Sequence, residues 1–565
     1  MIKSRRISKQ SIIKPSVVAA AVLTWGAVHA QSLPVGTLGL EDLYRRQQLL
    51  GRVDSSISFS VRPLTAPALQ QADVFDPEGT GRSVSVIAGT RADETYLEVL
   101  PLTWQHRFNS AYPHGYNDGG MIPARGYQMQ FSAGLYAQYK WFSLRVQPEW
   151  VYAQNRRYEG YGGEAGPDRN WYTVIGNRID MPELFGNGRY TKLLPGQSSF
   201  RVTYHPVSIG ISTENLWWGP GRYNSLQMSN TAPGFAHLTL NTSKPIRTYI
   251  GSFEGQLVAG RLEASGYPPS LLGNVTGHSP YAVAKPDDWR YFNGAILTYQ
   301  PRWVPGLTLG VTRTFSVYRG DMGSGLRDYL PILLPAYKKD AESDPSQDRR
   351  TDEQATVFFR WVLPRAHAEV YAEYGRNDHS LDFRDLFTQA DHSRAYLIGL
   401  RKLVPLKAEN TFLQVDAELT QLAATNTQWL RASSNWFSHH QVRDGYTHRG
   451  QLLGAGIGPG SNIQSVGISW VRGIREVGIR AERLVHNETF AAKTWEDRRR
   501  NWVDLGFLAH ATWDFERLVA TAGLQYIHAY NYQYRLQNAA DGDYWGFDTY
   551  DKNNVHLQLG LQYRF

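Results

Sequence analysis

The 565-residue sequence predicts an all-β fold: a transmembrane antiparallel β-barrel of about eighteen strands, preceded by a small N-terminal periplasmic helical segment. Three observations carry that prediction. The last eleven residues alternate without a break, with Val555, Leu557, Leu559, Leu561, Tyr563 and Phe565 apolar and His556, Gln558, Gly560, Gln562 and Arg564 between them. Successive side chains of a strand point to opposite faces, so this segment has one apolar and one polar face. Comparable alternation recurs along most of the chain, as in Leu413, Val415, Ala417 and Leu419 against Gln414, Asp416, Glu418 and Thr420. Finally, short connections such as His205-Pro206 and Arg472-Gly473 fall between long ones near 156–197, 319–352, 423–461 and 531–550. An even barrel with both ends in the periplasm requires that rhythm. In a water-soluble sandwich the apolar face would turn inward. Here the chain ends on an aromatic residue, with aromatics bracketing the end of the strand, which places the apolar face in lipid and the polar face in a lumen.

Composition agrees. Mean hydropathy is −0.43, and aromatics make up 13% of the chain beside 52 glycines. Those values exclude a helical membrane protein and suit strands that are apolar at alternate positions. The absence of cysteine excludes a disulfide framework and a thiolate site.

At the amino-terminus, Lys3, Arg5, Arg6, Lys9 and Lys14 precede an apolar run from Val17 to Trp25 and the small-residue site Val28-His29-Ala30. Residues 1–30 therefore read as a secretory signal peptide. Its removal takes away five basic side chains and lowers the formal charge from +8 to +3, so the charge gives no support to a nucleic-acid partner. Residues 31–95 read as a small periplasmic helical cap or plug. Leu40, Leu43, Tyr44 and Leu50 recur at helical spacing between a cap at Thr37 and a stop at Gly51, and a second helix is expected from Pro67 to Val74.

The barrel is expected over 96–565. Its strands include 96–109, 126–139, 141–155, 198–205, 207–216, 235–243 and 246–265, and the last runs over 551–565. Glu369, Glu373, Asp416, Glu418, Arg480, Glu482 and Asp504 fall on inward positions. Charges of both signs at close quarters favour paired networks over an open channel, so the barrel is expected to be occluded at one or both ends. Arg313 is a misfit on the lipid face, to be absorbed by a bulge or an interfacial position.

Between the fifth and sixth strands, Trp217-Trp218-Gly219-Pro220-Gly221 forms a tight turn that fixes two flat rings beside exposed backbone. Arg222, Asn224, Ser225 and Asn230 then supply guanidinium, amide and hydroxyl groups. Ring faces with planar polar groups are the chemistry of carbohydrate recognition. The same loop could instead fold inward and plug the barrel with its Trp pair as packing. Tyr544-Trp545-Gly546-Phe547, Trp171-Tyr172 and Trp436-Phe437 place further aromatics in long outside loops, to stack on sugars or to order the loops. The candidate polysaccharide-binding residues are thus Trp217, Trp218, Arg222, Asn224, Ser225, Asn230 and Trp545.

Other patterns point elsewhere more weakly. Asp541, Asp543, Asp548 and Asp551 have calcium-binding chemistry without a fixed loop pattern. His439-His440 and His448 lack the frame of a zinc hydrolase and read as solvated. Asn377-Asp378-His379-Ser380 contains lipase-like residue types without triad geometry. No catalytic residue, metal or cofactor is assigned.

The word Trp217-Trp218-Gly219-Pro220-Gly221, Asn224-Ser225-Leu226, Met228-Ser229-Asn230 and Ala232-Pro233-Gly234-Phe235, running into His237-Leu238-Thr239-Leu240, resembles the Wzi family of outer-membrane capsule-assembly proteins. Leu43-Tyr44, Arg62-Pro63-Leu64 and the terminal Phe565 agree; Gln227 and Thr231 depart from the family pattern. The resemblance implies an eighteen-stranded barrel of the Gram-negative outer membrane. It also implies a lectin-like, non-enzymatic anchor for capsular or exopolysaccharide. The expected partners are that polysaccharide, outer-membrane lipid and the polysaccharide export machinery, with the protein a monomer. The alternative reading is an outer-membrane channel for carbohydrates or small solutes.

Overall fold

The computed structural model describes residues 31–77, 85–161, 168–269, 280–333, 350–377, 383–425, 435–495, 497–537 and 543–565. The expected signal peptide lies outside them. Eighteen strands form the wall: β1 (Thr95–Asn109), β2 (Gly126–Tyr139), β3 (Phe142–Val146 continued by Glu149–Ala153), β4 (Tyr190–Leu194 continued by Ser199–Tyr204), β5 (Val207–Ser212), β6 (His237–Thr242), β7 (Gly251–Leu262), β8 (Arg290–Pro301) and β9 (Leu307–Tyr318). The second half comprises β10 (Thr351–Leu363), β11 (Ala368–Asn377), β12 (Arg394–Pro405), β13 (Thr411–Gln421), β14 (Asn462–Arg472), β15 (Arg475–Val485), β16 (Val503–Phe515), β17 (Leu518–Tyr530) and β18 (Lys552–Tyr563). Each pairs antiparallel with its neighbours. The last strand returns to the first through Leu557↔Phe108 and Leu561↔Trp104, which closes the cylinder and removes both sheet edges.

The two faces are as the alternation requires. Leu557 is 43% exposed and Val357 56%, whereas their strand neighbours His556 and Thr356 are buried. Rings at the short-turn end, including Tyr139, Trp141, Tyr204, Tyr249, Trp303 and Phe515, also face outward. They form the aromatic girdle of a membrane interface. No helix among the described residues is long and apolar enough to cross a membrane.

Four wall strands differ from the expectation. The fourth strand begins at Tyr190 rather than 198, because Pro195-Gly196 interrupts it and divides one strand in two. β5 and β6 shrink to six residues each, because the chain from Thr213 to Ala236 leaves the wall. The segment expected at 246–265 opens with a turn, Ile246–Arg247 pairing back on Ser252 and Phe253. Arg313 stays in register between Ala295 and Ala355, with no bulge. It reaches Glu353 on β10 at 2.5 Å and lies 4.6 Å over the Phe315 ring, midway along β9, so pairing with the neighbouring strand absorbs the charge.

The N-terminal segment fills the short-turn half of the lumen. Helix α1 (Leu40–Leu49) starts from Gly39 in a left-handed conformation, and Thr37 bonds the Pro34 carbonyl at 2.6 Å instead of capping the helix. Helix α2 (Ala66–Leu69) is shorter than the 67–74 expected. Thr65 caps it by accepting from Ala68 N, and Gln70 turns left-handed to end it. Leu40, Leu43, Tyr44 and Phe59 pack with Leu100, Tyr136 and Val519 of the wall. Val86–Thr90 then forms a hairpin with the start of β1.

Candidate functional site

The loop between β5 and β6 turns into the lumen and meets the N-terminal segment there. Trp217 and Trp218 pair as a two-residue strand with Arg62 and Val61. The Trp218 ring is fully buried, and its indole N–H donates to Gln256 Oε1 at 2.9 Å. The Arg62 guanidinium lies 4.5 Å over the Trp217 ring. Gly219 has φ 129°, and a Cβ there would sit 1.6 Å from Glu373 Oε1. Only glycine lets the turn press so closely on that carboxylate.

The residues that follow satisfy the wall's charges. Arg222 pairs with Asp416 at 2.6 Å and Asp42 at 3.3 Å. The backbone N–H groups of Arg222, Tyr223 and Asn224 all donate to Glu418, and Leu226 N donates to Glu373 Oε2 at 2.9 Å. Ser225 Oγ donates to the Trp218 carbonyl. Helix α1 completes the network: Arg45 reaches Glu369 at 2.8 Å and the Pro220 carbonyl at 2.7 Å, and Arg46 reaches Glu476 at 2.8 Å. Burial opposes the charge on Asp42, yet Arg222, Arg401 and Arg46 outweigh it and hold its carboxyl well below the usual range. Above this layer, Met228, Phe235, Phe437, Leu453 and Ile457 form an apolar core inside the cylinder. The lumen is filled by the protein's own chain.

The sequence-predicted residues divide accordingly. Trp217, Trp218, Asn224, Ser225 and Asn230 are buried in the lumen, and Arg222 is bound among carboxylates. In this arrangement none of the six presents a surface to a polymer outside. Trp545 stands apart, 77% exposed on the β17–β18 loop. Its ring meets Tyr544 edge-on with centroids 4.8 Å apart. Arg499, from the β15–β16 loop, lies 4.8 Å over Tyr544 and is gripped by Asp497 at 2.9 Å. Sequence reading missed Arg499, since nothing local tells an arginine in a basic run which neighbouring loop it will reach.

The other aromatic pairs are structural. Trp171, Tyr172, Trp436 and Phe437 are all buried, Trp171 stacked on Tyr161 at 5.9 Å. His439 and His448, expected in solvent, are buried as well. His448 Nδ1 accepts from Glu263 N at 3.1 Å, and burial, with Arg449 and Arg290 nearby, pushes the imidazole well below its usual value. Asp378, His379, Ser380 and Asp541 lie outside the described residues. Among the described residues no three His, Cys, Asp or Glu side chains come together as a metal site.

A closed antiparallel cylinder, apolar outside and filled within, is an integral outer-membrane β-barrel protein. The family model for capsule assembly protein Wzi matches residues 107–540, and the chain belongs to that family. Among solved structures it is similar to Wzi of Escherichia coli, with 13% identity, TM-score 0.60, and coverage of 95% of this chain and 100% of that one. That protein is described as a carbohydrate-binding β-barrel of the outer membrane involved in group 1 capsule assembly. OccAB2 of Acinetobacter baumannii matches at TM-score 0.39 and 11% identity, over 83% of this chain and 98% of that one. A BenF-like porin of Pseudomonas fluorescens matches at TM-score 0.36 and 9% identity, over 83% and 99%. No curated protein sequence matches the chain.

Proposed function

We propose that this barrel binds capsular or exopolysaccharide at its extracellular end and holds it at the cell surface without transforming it. The carrying observation is the exposed Trp545–Tyr544 pair beside Arg499, on loops that project from the long-loop end. An indole face stacks on the apolar face of a pyranose, and Arg499, held by Asp497, fixes the Tyr544 ring beside it. Family membership and the carbohydrate-binding relative support the same reading. A repeating polymer engages many copies of a weak site at once, so modest affinity at each suffices. The Trp217–Trp218 turn serves this reading as the plug that shapes the loops rather than as the contact surface.

The test is retention of polysaccharide by cells carrying Trp545→Ala with Arg499→Gln. Retention is expected to fall several-fold with the barrel still folded and present in the outer membrane. Unchanged retention would remove this surface from the account.

A further inference from the structure

On its lipid side the wall carries a depression of about 970 Å³ across β13 to β18 and β1, and its exposed lining is almost wholly apolar. Register builds it. Trp470, Val477, Ala511, Ala522 and Leu559 are successive cross-strand partners on β14 to β18, all at outward positions. The two alanines are shorter than Val477 and Leu559 beside them, which lowers the surface between. The next rung toward the long loops, from Ile468 on β14 to Leu557 on β18, is apolar as well.

One rung toward the short turns the chemistry changes. Arg472 and Arg475 stand directly opposite each other across the β14–β15 hairpin, on the same outward face. Like charges set opposite one another in a sheet repel. The Arg475 guanidinium lies 5.0 Å over the Trp513 ring, and Trp513 stacks on Trp470 with centroids 6.3 Å apart, so the rings join the charges to the depression. The acidic side chains next in sequence are engaged elsewhere, Glu476 with Arg46 at 2.8 Å and Asp514 with Arg564 at 2.7 Å. Among the described residues neither Arg472 nor Arg475 has an ion-pair partner; Glu409 and Glu516, exposed in nearby turns, pair with neither.

We propose that this depression seats one phospholipid of the periplasmic leaflet whose headgroup carries a net negative charge. Its acyl chains lie along the apolar floor, and its phosphodiester accepts N–H bonds from Arg472 and Arg475. The phosphate charge relieves the repulsion between the two arginines, as anionic headgroups do at basic sites on membrane proteins. A headgroup whose phosphate is balanced by its own ammonium offers the pair no net charge, so a net-anionic lipid is preferred. A second copy of the chain, docking through the same patch, would bring two more arginines instead of a counter-charge.

The experiment is native mass spectrometry of the full mature chain in lauryldimethylamine oxide, titrated with palmitoyl-oleoyl phosphatidylglycerol or with phosphatidylethanolamine of the same chains. One phosphatidylglycerol is expected to bind at least tenfold more tightly than phosphatidylethanolamine. Its binding should weaken at least tenfold in Arg472→Gln with Arg475→Gln, which removes the charges, and in Ala511→Phe with Ala522→Phe, which fills the depression. Arg302→Gln with Arg365→Gln, exposed at other short turns, should bind as the wild type does. Folding of each variant is checked by heat-modifiable gel migration. If one double variant fails to assemble, the other and the wild-type preference between the two lipids carry the test. Equal affinity for both lipids, wild-type affinity in either folded double variant, or an equal loss in the Arg302 and Arg365 control would each overturn the proposal. So would a dimer that dissociates in Ala511→Phe with Ala522→Phe, which would give the depression to a second copy. None of these readouts involves polysaccharide, so failure here is distinct from failure of the surface reading.

Discussion

His448 shows how one side chain makes a barrel loop sensitive to acid. Its imidazole is buried, accepts from Glu263 N through Nδ1, and is held neutral by burial and by the neighbouring Arg449 and Arg290. The unfolded chain protonates the same group near pH 6.5, so below that pH it binds a proton the folded protein refuses. The contribution to stability is therefore complete above about pH 6.5 and declines as pH falls toward the depressed folded value. His448→Asn keeps an acceptor for Glu263 N and carries no titration. Comparing thermal unfolding at pH 7.5 and pH 5, the variant should lose less stability on acidification than the wild type; an equal loss would show that other groups govern the acid limb. Gly219 makes the complementary point about shape. Its backbone conformation and its contact with Glu373 make glycine a requirement for folding this turn inward.

At the scale of elements, α1 is fastened to the wall by charge. Glu369 on β11 accepts from Arg45 Nε at 2.8 Å and from Arg360 Nε at 2.7 Å, with Arg401 3.6 Å away. Removing the carboxylate leaves buried guanidiniums without a counter-charge, which costs about 3–5 kcal/mol. Glu369→Gln is thus expected to loosen α1 while the strands, held by their ladders, stay closed. Limited proteolysis from the short-turn side measures this. Faster cleavage within residues 31–77, with heat-modifiable migration retained, is the expected result, and wild-type protection would mean that apolar packing alone holds the helix.

Across the whole molecule, the N-terminal segment, the 213–236 loop and the 435–461 loop occupy the cylinder in series. Purified wild-type protein in planar bilayers is therefore expected to show no steady conductance of porin size. Stable open steps would restore the solute-channel reading. The wall was legible in the sequence because its signal is local: apolar and polar residues alternate at a period of two, and both faces of every long strand follow from it. The helices were legible in outline. Their ends were not: Thr37 bonds the Pro34 carbonyl instead of capping α1, and Gln70 turns left-handed and stops α2 short of Val74. The inward charges pointed to pairing: Arg480 and Glu482 pair with each other on the wall, but Glu369, Glu373, Asp416 and Glu418 also take partners from α1 and the 213–236 loop, far along the chain.

The sequence by itself determined a closed sheet with lipid outside, polar groups inside and about eighteen strands, since each follows from the spacing of side chains along one strand and the length of the turns between. Only the tertiary structure decided that the Trp217–Trp218 loop runs into the lumen while Trp545 stays outside. That choice rests on Gly219 meeting Glu373 and on the backbone of Arg222 to Asn224 meeting Glu418, contacts between residues more than 150 positions apart. No local pattern records them, because the energy of burying those rings depends on carboxylates that reach the same place only once the barrel has closed.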